Sequence, residues 1–191
     1  MAESNNVLTS EKINRESYEQ RIIQAARRDP KAFGELYRLY VEQVFRYLYS
    51  RTGNPHEAED ATAQTFLAAF ESFDRFRQEE HFASWLFTIA RNKAMDHFRQ
   101  RKMTSSIDDA TDIPVENDPL SGVIQSEQAA ALAKLIHALP EGDRELLRLR
   151  FLAAMSFPEM AHFLHRNKEA VKKSVYRLLA RLHNQLEVSN E

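Results

Sequence analysis

Apolar residues in this chain recur at helical steps. Between 33 and about 49, Phe33, Leu36, Tyr37, Tyr40, Val41, Val44, Phe45 and Leu48 form one stripe, as expected of a core-facing helix. A shorter helix is expected near 17–28, and Asp29-Pro30 is a cap followed by a first-turn proline. Gly53 suits the left-handed position that ends a helix. Asn54-Pro55-His56-Glu57 then opens a third helix to about residue 72, with Ala58, Ala61, Thr65, Phe66, Ala69 and Phe70 on its apolar face. Its other side carries Glu57, Asp60, Gln64 and Glu71. Taken alone, such a face is more often solvent surface than a docking site.

The segment 82–102, FASWLFTIARNKAMDHFRQRK, has two chemically different faces. Phe82, Leu86, Ile89, Ala90, Ala94 and Phe98 share one apolar arc, while Thr88, Asn92, Met95, Arg99 and Lys102 fall opposite, with Trp85 on the border. A connector at 73–81 precedes it and contributes Phe73, Arg75, Phe76 and Arg77. From 103 to about 123 there is no apolar stripe, and the stretch holds Ser105, Ser106, Pro114, Pro119, Ser121 and Gly122. A loop of that length inside a compact domain is unusual, so a domain boundary belongs here.

Helical spacing resumes at 126–138 with Ala129, Leu132, Leu135 and Ile136. Leu139-Pro140-Glu141-Gly142-Asp143 reads as a break before a helix at 144–154. Ser156-Phe157-Pro158-Glu159 is a capping box opening a short helix, 158–164. His165-Arg166-Asn167 forms a tight turn, and Asn167 can cap a last helix to about 186 that buries Val171, Val175, Leu178, Leu179, Leu182 and Leu186. A short capped helix, a tight turn and a longer second helix form a helix-turn-helix pattern. The outer side of the last helix shows Glu169, Lys173, Tyr176 and Arg177, flanked by Lys172 and Arg181. Such a side can meet base edges and phosphates. A helical hairpin with a solvated basic face fits the same pattern.

The expected fold is all-α: two small helical domains joined by a flexible linker, the second a helix-turn-helix domain. The divisions are a disordered tail at 1–16, a helical domain at 17–102, an acidic linker at 103–124 and a second domain at 125–187. Composition agrees, with 43% apolar residues, four glycines and six prolines in 191 residues. The formal charge of −2 conceals local asymmetry. Between 75 and 102 there are seven Lys or Arg (75, 77, 91, 93, 99, 101 and 102) against Glu79, Glu80 and Asp96. From 107 to 127 there is no Lys or Arg and Asp108, Asp109, Asp112, Glu116, Asp118 and Glu127 are acidic. The local field, not the total, governs nucleic-acid binding.

The chain has no cysteine, which excludes disulfides, thiol catalysis and thiolate zinc sites. His162 and His165 lie three apart, but His183 is distant in sequence and no metal site or cofactor is expected. There is no nucleophile elbow and no phosphate-cradling glycine loop, so no enzyme is expected. No apolar run approaches the roughly 20 residues needed to span a bilayer. The N-terminal MAESNNVLTSEK lacks a signal core, and a cytoplasmic location is expected without membrane insertion.

Together, FGELYRLYVEQVFRYLYSRTGNPHEAEDATAQTFLAAF, FASWLFTIARNKAMDHFRQRK and LPEGDRELLRLRFLAAMSFPEMAHFLHRNKEAVKKSVYRLLARL resemble the bacterial RNA polymerase sigma factors of the small, two-domain extracytoplasmic-function (ECF) type. The likeness covers about residues 20–102 and 125–187. It implies a transcription initiation factor that binds core RNA polymerase, through the β′ clamp helices and the β flap, and recognises promoter DNA. It also implies an anti-sigma partner. Carried onto this sequence, the polymerase-binding face is Glu57, Asp60, Gln64 and Phe66. The −10 element, read as an opened strand, would be held by Phe76, Arg77, Trp85, Asn92, Asp96, Arg99, Arg101 and Lys102. The −35 element would be read by Arg166, Lys168, Glu169, Lys172, Lys173, Tyr176 and Arg177. The chain departs from the family where His165 replaces a usual glycine, where Lys168-Glu169 replace small residues, and where Ser174 replaces a common basic residue. The alternatives are a stand-alone helix-turn-helix regulator that binds duplex operators unaided and a decoy that only sequesters an anti-sigma factor.

Overall fold

The computed structural model describes residues 17–77, 81–104 and 127–188, and they are helical with no strand among them. Helix α1 covers 17–28. A 3₁₀ turn, Pro30–Ala32, leads into α2, Phe33–Thr52, followed by α3, Pro55–Glu71. A second 3₁₀ turn, Phe73–Arg75, precedes α4, Phe82–Thr104. The second half comprises α5 (Glu127–His137), α6 (Glu141–Leu147), a π-helical turn (Arg148–Leu152), α7 (Phe157–Leu164) and α8 (Lys168–Val188). The expected tail at 1–16 and most of the expected linker, 105–124, lie outside the described residues.

Local chemistry sets the helix ends. Asn54 accepts from the amides of His56 (2.9 Å) and Glu57 (3.2 Å), which satisfies two donors at the start of α3. Gly53 closes α2 at φ 67°, in the left-handed region. At α7 the capping box is complete: the Ser156 amide donates to Glu159 Oε2 at 2.6 Å and the Glu159 amide to Ser156 Oγ at 3.4 Å. His165 ends α7 at φ 51°, ψ 43°, the left-handed conformation that a glycine would enter more easily.

One expected boundary is corrected. Residues 141–143 are the first turn of α6 rather than part of a break. Pro140 sits extended before the helix, and Glu141 and Asp143 place negative charge where the helix N-terminus favours it. The continuation is not a regular α-helix. The Ala153 amide reaches back to the Arg148 carbonyl and the Met155 amide to that of Leu149, and Ala154 turns the chain at φ 53°.

In the first half, Leu36, Val44, Leu48, Ala58, Ala61, Phe82, Leu86 and Ala90 pack with little or no exposure. In the second, Leu149, Met155, Met160, Phe163, Val171 and Val175 do the same. The two cores meet, and the buried residues of both halves form one continuous cluster. The C-terminal end of α2 packs on the α6 π-turn, and α4 packs on α7. The apolar arc of α4 is therefore wider than its spacing implies. Ala83, Ser84 and Phe87 are buried on a side that faces the second half, whereas Ile89 and Phe98 are only half-buried.

Candidate nucleic-acid and polymerase interfaces

Helix α4 is fixed by its buried arc, so its remaining face is presented rigidly. Asn92, Asp96 and Arg99 are exposed along one row at steps of four and three. Asp96 lies 3.8 Å from Arg99, a contact open to solvent on both sides and therefore weak. Trp85 stands about two turns before Asn92 on the same row and is half-buried. Its indole is backed by Phe76 (ring centroids 5.2 Å), Phe82 (5.6 Å) and Phe73 (6.4 Å). The aromatic backing holds Trp85 in place while leaving part of it open, the arrangement a stacking platform needs. Arg77 is exposed at the end of the connector. Arg101 and Lys102 continue α4, but their side chains lie outside the described residues.

Phe76 is a correction to the expected set. Its ring is 3% exposed, packed among Phe73, Phe82 and Trp85, and its carbonyl accepts from Arg27 Nη2 at 2.6 Å. Phe76 therefore supports Trp85 and has no open face for a base. Phe66 is corrected for the same reason. It is 5% exposed, with its ring against Tyr37 at 4.8 Å, and belongs to the packing between α2 and α3.

On α3, Asp60 and Gln64 are exposed, and Glu57 is half-buried. The row they define continues to Leu67 and Glu71 at steps of three and four. Leu67 is 59% exposed, and Phe70, one turn further on α3, and Tyr37 of α2 are 48% and 45% exposed. Sequence reading placed Phe70 and Tyr37 in the core and passed over Leu67. The spacing of Leu67 with Asp60, Gln64 and Glu71 is visible in the sequence and places an apolar residue on this polar row.

The helix-turn-helix presents a third surface. Arg166, Lys168, Glu169, Lys172, Lys173, Tyr176 and Arg177 are all exposed, and Val171, Val175 and Leu178 anchor the opposite side of α8. Asn167 Oδ1 accepts from the Glu169 amide at 2.8 Å, capping the helix. Arg166 Nη2 donates to Ser174 Oγ at 3.1 Å, so the serine that replaces a usual basic residue tethers an arginine from the turn. Tyr176 lies tilted at 46° to Phe157, with ring centroids 6.0 Å apart, and stays 56% exposed. His81 and His162 lie with ring centroids 5.9 Å apart near the turn, beside an open depression of about 480 Å³ that His165, Arg166 and Lys168 also line. Among the described residues no group of three or more His, Cys, Asp or Glu is arranged to hold a metal ion. No helix among them is long and apolar enough to cross a membrane.

Comparison with known proteins agrees with the two-part arrangement. Residues 36–104 match the family model of sigma-70 region 2, and residues 129–182 match that of sigma-70 region 4. The ECF RNA polymerase sigma factor BldN of Streptomyces coelicolor is 38% identical over 157 residues, an alignment covering 79% of this chain and 59% of BldN. The ECF RNA polymerase sigma factor SigM of Bacillus subtilis is 31% identical over 152 residues, covering 78% of this chain and 91% of SigM. Among solved structures, CnrH in complex with the cytosolic domain of CnrY superposes with a TM-score of 0.62 at 26% identity, over 88% of this chain and 97% of CnrH.

Proposed function

The chain belongs to the ECF sigma factors, non-catalytic transcription initiation factors, and from that premise we propose how its three exposed surfaces divide the work. The exposed row of α3, Asp60, Gln64 and Leu67, docks on the β′ clamp helices of core RNA polymerase. The second half engages the β flap. The α4 row holds the opened −10 strand, and α8 reads the −35 element as duplex.

The observation that carries the −10 assignment is the α4 face itself. A half-buried indole on an aromatic bed, an exposed amide and an exposed guanidinium lie in one line on a helix that cannot rotate. Unstacking a base costs a few kcal/mol. Stacking on Trp85 returns about 1–3 kcal/mol per base. Asn92 can pair with a base edge, and Arg99, with Arg77 and the basic end of α4, neutralises backbone charge. At α8, Lys168, Lys172, Lys173 and Arg177 supply phosphate contacts, and Glu169 and Tyr176 face the groove.

We propose an anti-sigma partner as well, because CnrH, which this chain resembles over nearly its whole length, was solved with the cytosolic domain of CnrY. The protein then works in the cytoplasm, free or bound to polymerase. A stand-alone duplex-binding regulator is not favoured, since it leaves the region 2 match and the α3 face without a task. The test is reconstitution: the purified chain added to core RNA polymerase should direct promoter-specific transcription from genomic templates. Absence of any specific start site in a genome-wide run-off assay would sink the assignment.

A further inference from the structure

Helix α1 lies upstream of the residues that match sigma-70 region 2, which begin at 36, yet it reaches the −10 face. Ile22, Ile23 and Ala26 bury one side of α1 in the core of the first half. Two polar contacts extend from it. Glu19 accepts from the Tyr40 hydroxyl, and the Tyr40 ring meets Phe82 with centroids 5.4 Å apart. Arg27 Nη2 donates to the Phe76 carbonyl at 2.6 Å, and its guanidinium carbon lies 6.0 Å from the centre of the Phe76 ring. Phe76 and Phe82 are two of the three rings that back Trp85. Both contacts from α1 therefore end on the bed behind the indole.

The Phe76 carbonyl belongs to a residue that is buried but not helical. Phe76 closes the 3₁₀ turn: its amide donates to the Phe73 carbonyl at 3.0 Å, and its own backbone is extended at φ −64°, ψ 123°. Phe76 and Arg77 lie outside the helices, so the carbonyl is not part of a helix ladder. A buried carbonyl left unpaired is costly, and a charged donor makes a stronger bond to it than a neutral one. Arginine suits the place because its planar fork can donate while its face rests near a ring. One side chain thus holds both the main chain and the ring of Phe76. Trp85 follows in the first turn of α4, where its amide donates to the His81 carbonyl at 3.1 Å. Its indole is half-buried, so its orientation depends on the rings behind it.

We propose that Arg27 is a positioning residue for promoter opening: by clamping Phe76 it holds the aromatic bed that orients Trp85 toward the opened strand, and it fixes the point from which Arg77 departs. Arg27 touches no base in this role. The inference rests on the assignment of the α4 row to the −10 strand, but the effect of the clamp on Trp85 is measurable without DNA.

Trp85 is the one tryptophan in the chain, so the intrinsic emission of the free full-length protein reports on it alone. Arg27→Met keeps an apolar stem of similar length and removes every donor. Its Trp85 emission should shift to the red and be quenched more readily by acrylamide. Arg27→Lys, which restores one donating cation, should return both toward wild type. Assembled with core polymerase, Arg27→Met should bind a labelled −10 single strand about 2- to 10-fold more weakly, the cost of ordering one large side chain on binding. The slope of log affinity against log salt should stay at the wild-type value, because no phosphate contact is lost. Wild-type emission and strand affinity in Arg27→Met would overturn the proposal. So would weaker strand binding with unchanged emission and a slope smaller by about 0.7, which would make Arg27 a direct phosphate contact. If the emission responds as stated but Trp85→Ala leaves strand affinity intact, the clamp stands and the −10 assignment fails instead.

Discussion

Leu67→Ala isolates the apolar contribution to polymerase docking. Leu67 is 59% exposed on α3, in phase with Asp60 and Gln64, and its removal leaves the fold nearly untouched. Burying a leucine side chain fully is worth about 1.5–3 kcal/mol, so covering the remaining six-tenths contributes about 0.9–1.8 kcal/mol. At 1.4 kcal/mol per factor of ten, the dissociation constant for core polymerase should rise about 5- to 20-fold. Thermal stability of the free chain should change by no more than about 0.5 kcal/mol, as for other exposed positions. The assay is a titration of labelled protein with core polymerase, with a melting curve of the free protein alongside. An unchanged dissociation constant would refute the placement of α3 at the interface. A large fall in stability would refute the exposed position of Leu67.

Three further outcomes are expected. Asn92→Ala should impair promoter opening, followed by permanganate reactivity of unpaired thymines, more than it impairs core polymerase binding, and equal losses in both would count against a base contact. Arg99→Ala should reduce the slope of log affinity against log salt for a −10 single strand by about 0.7, one phosphate's share, measured by fluorescence anisotropy from low to high salt. Ala154 is exposed with φ 53°, so Ala154→Gly relieves left-handed strain of about 1–2 kcal/mol against a smaller loss through the freer unfolded chain. For a net gain of about 0.5–1 kcal/mol in a chain of 191 residues, the melting temperature should rise by about 1–4 °C, and a fall would mean the turn is not held left-handed.

The sequence by itself determined much of this protein. Helical periodicity placed the stripes of α2, α4 and α8, and Asn54, Gly53 and the Ser156–Glu159 box marked helix ends, because capping is local chemistry read over a few residues. The exposed rows of α4 and α8 were legible for the same reason: residues opposite a buried stripe face outward. Tertiary structure decided which aromatic residues were available. Phe66 and Phe76 lie within reach of functional faces in sequence, but the neighbouring rings of Tyr37, Phe73 and Phe82 enclose them, while Tyr37, Leu67 and Phe70 are left open. It also decided how the halves meet. Glu145 sits in EGDRELL, a segment that reads as ordinary charged surface, and nothing local marks it for burial. Its surroundings come from Tyr47 and Arg51, more than ninety residues away along the chain, as the bonds spanning 98 and 94 positions record. Burial of a polar group depends on what packs against it from elsewhere, and periodicity within one helix carries no information about that.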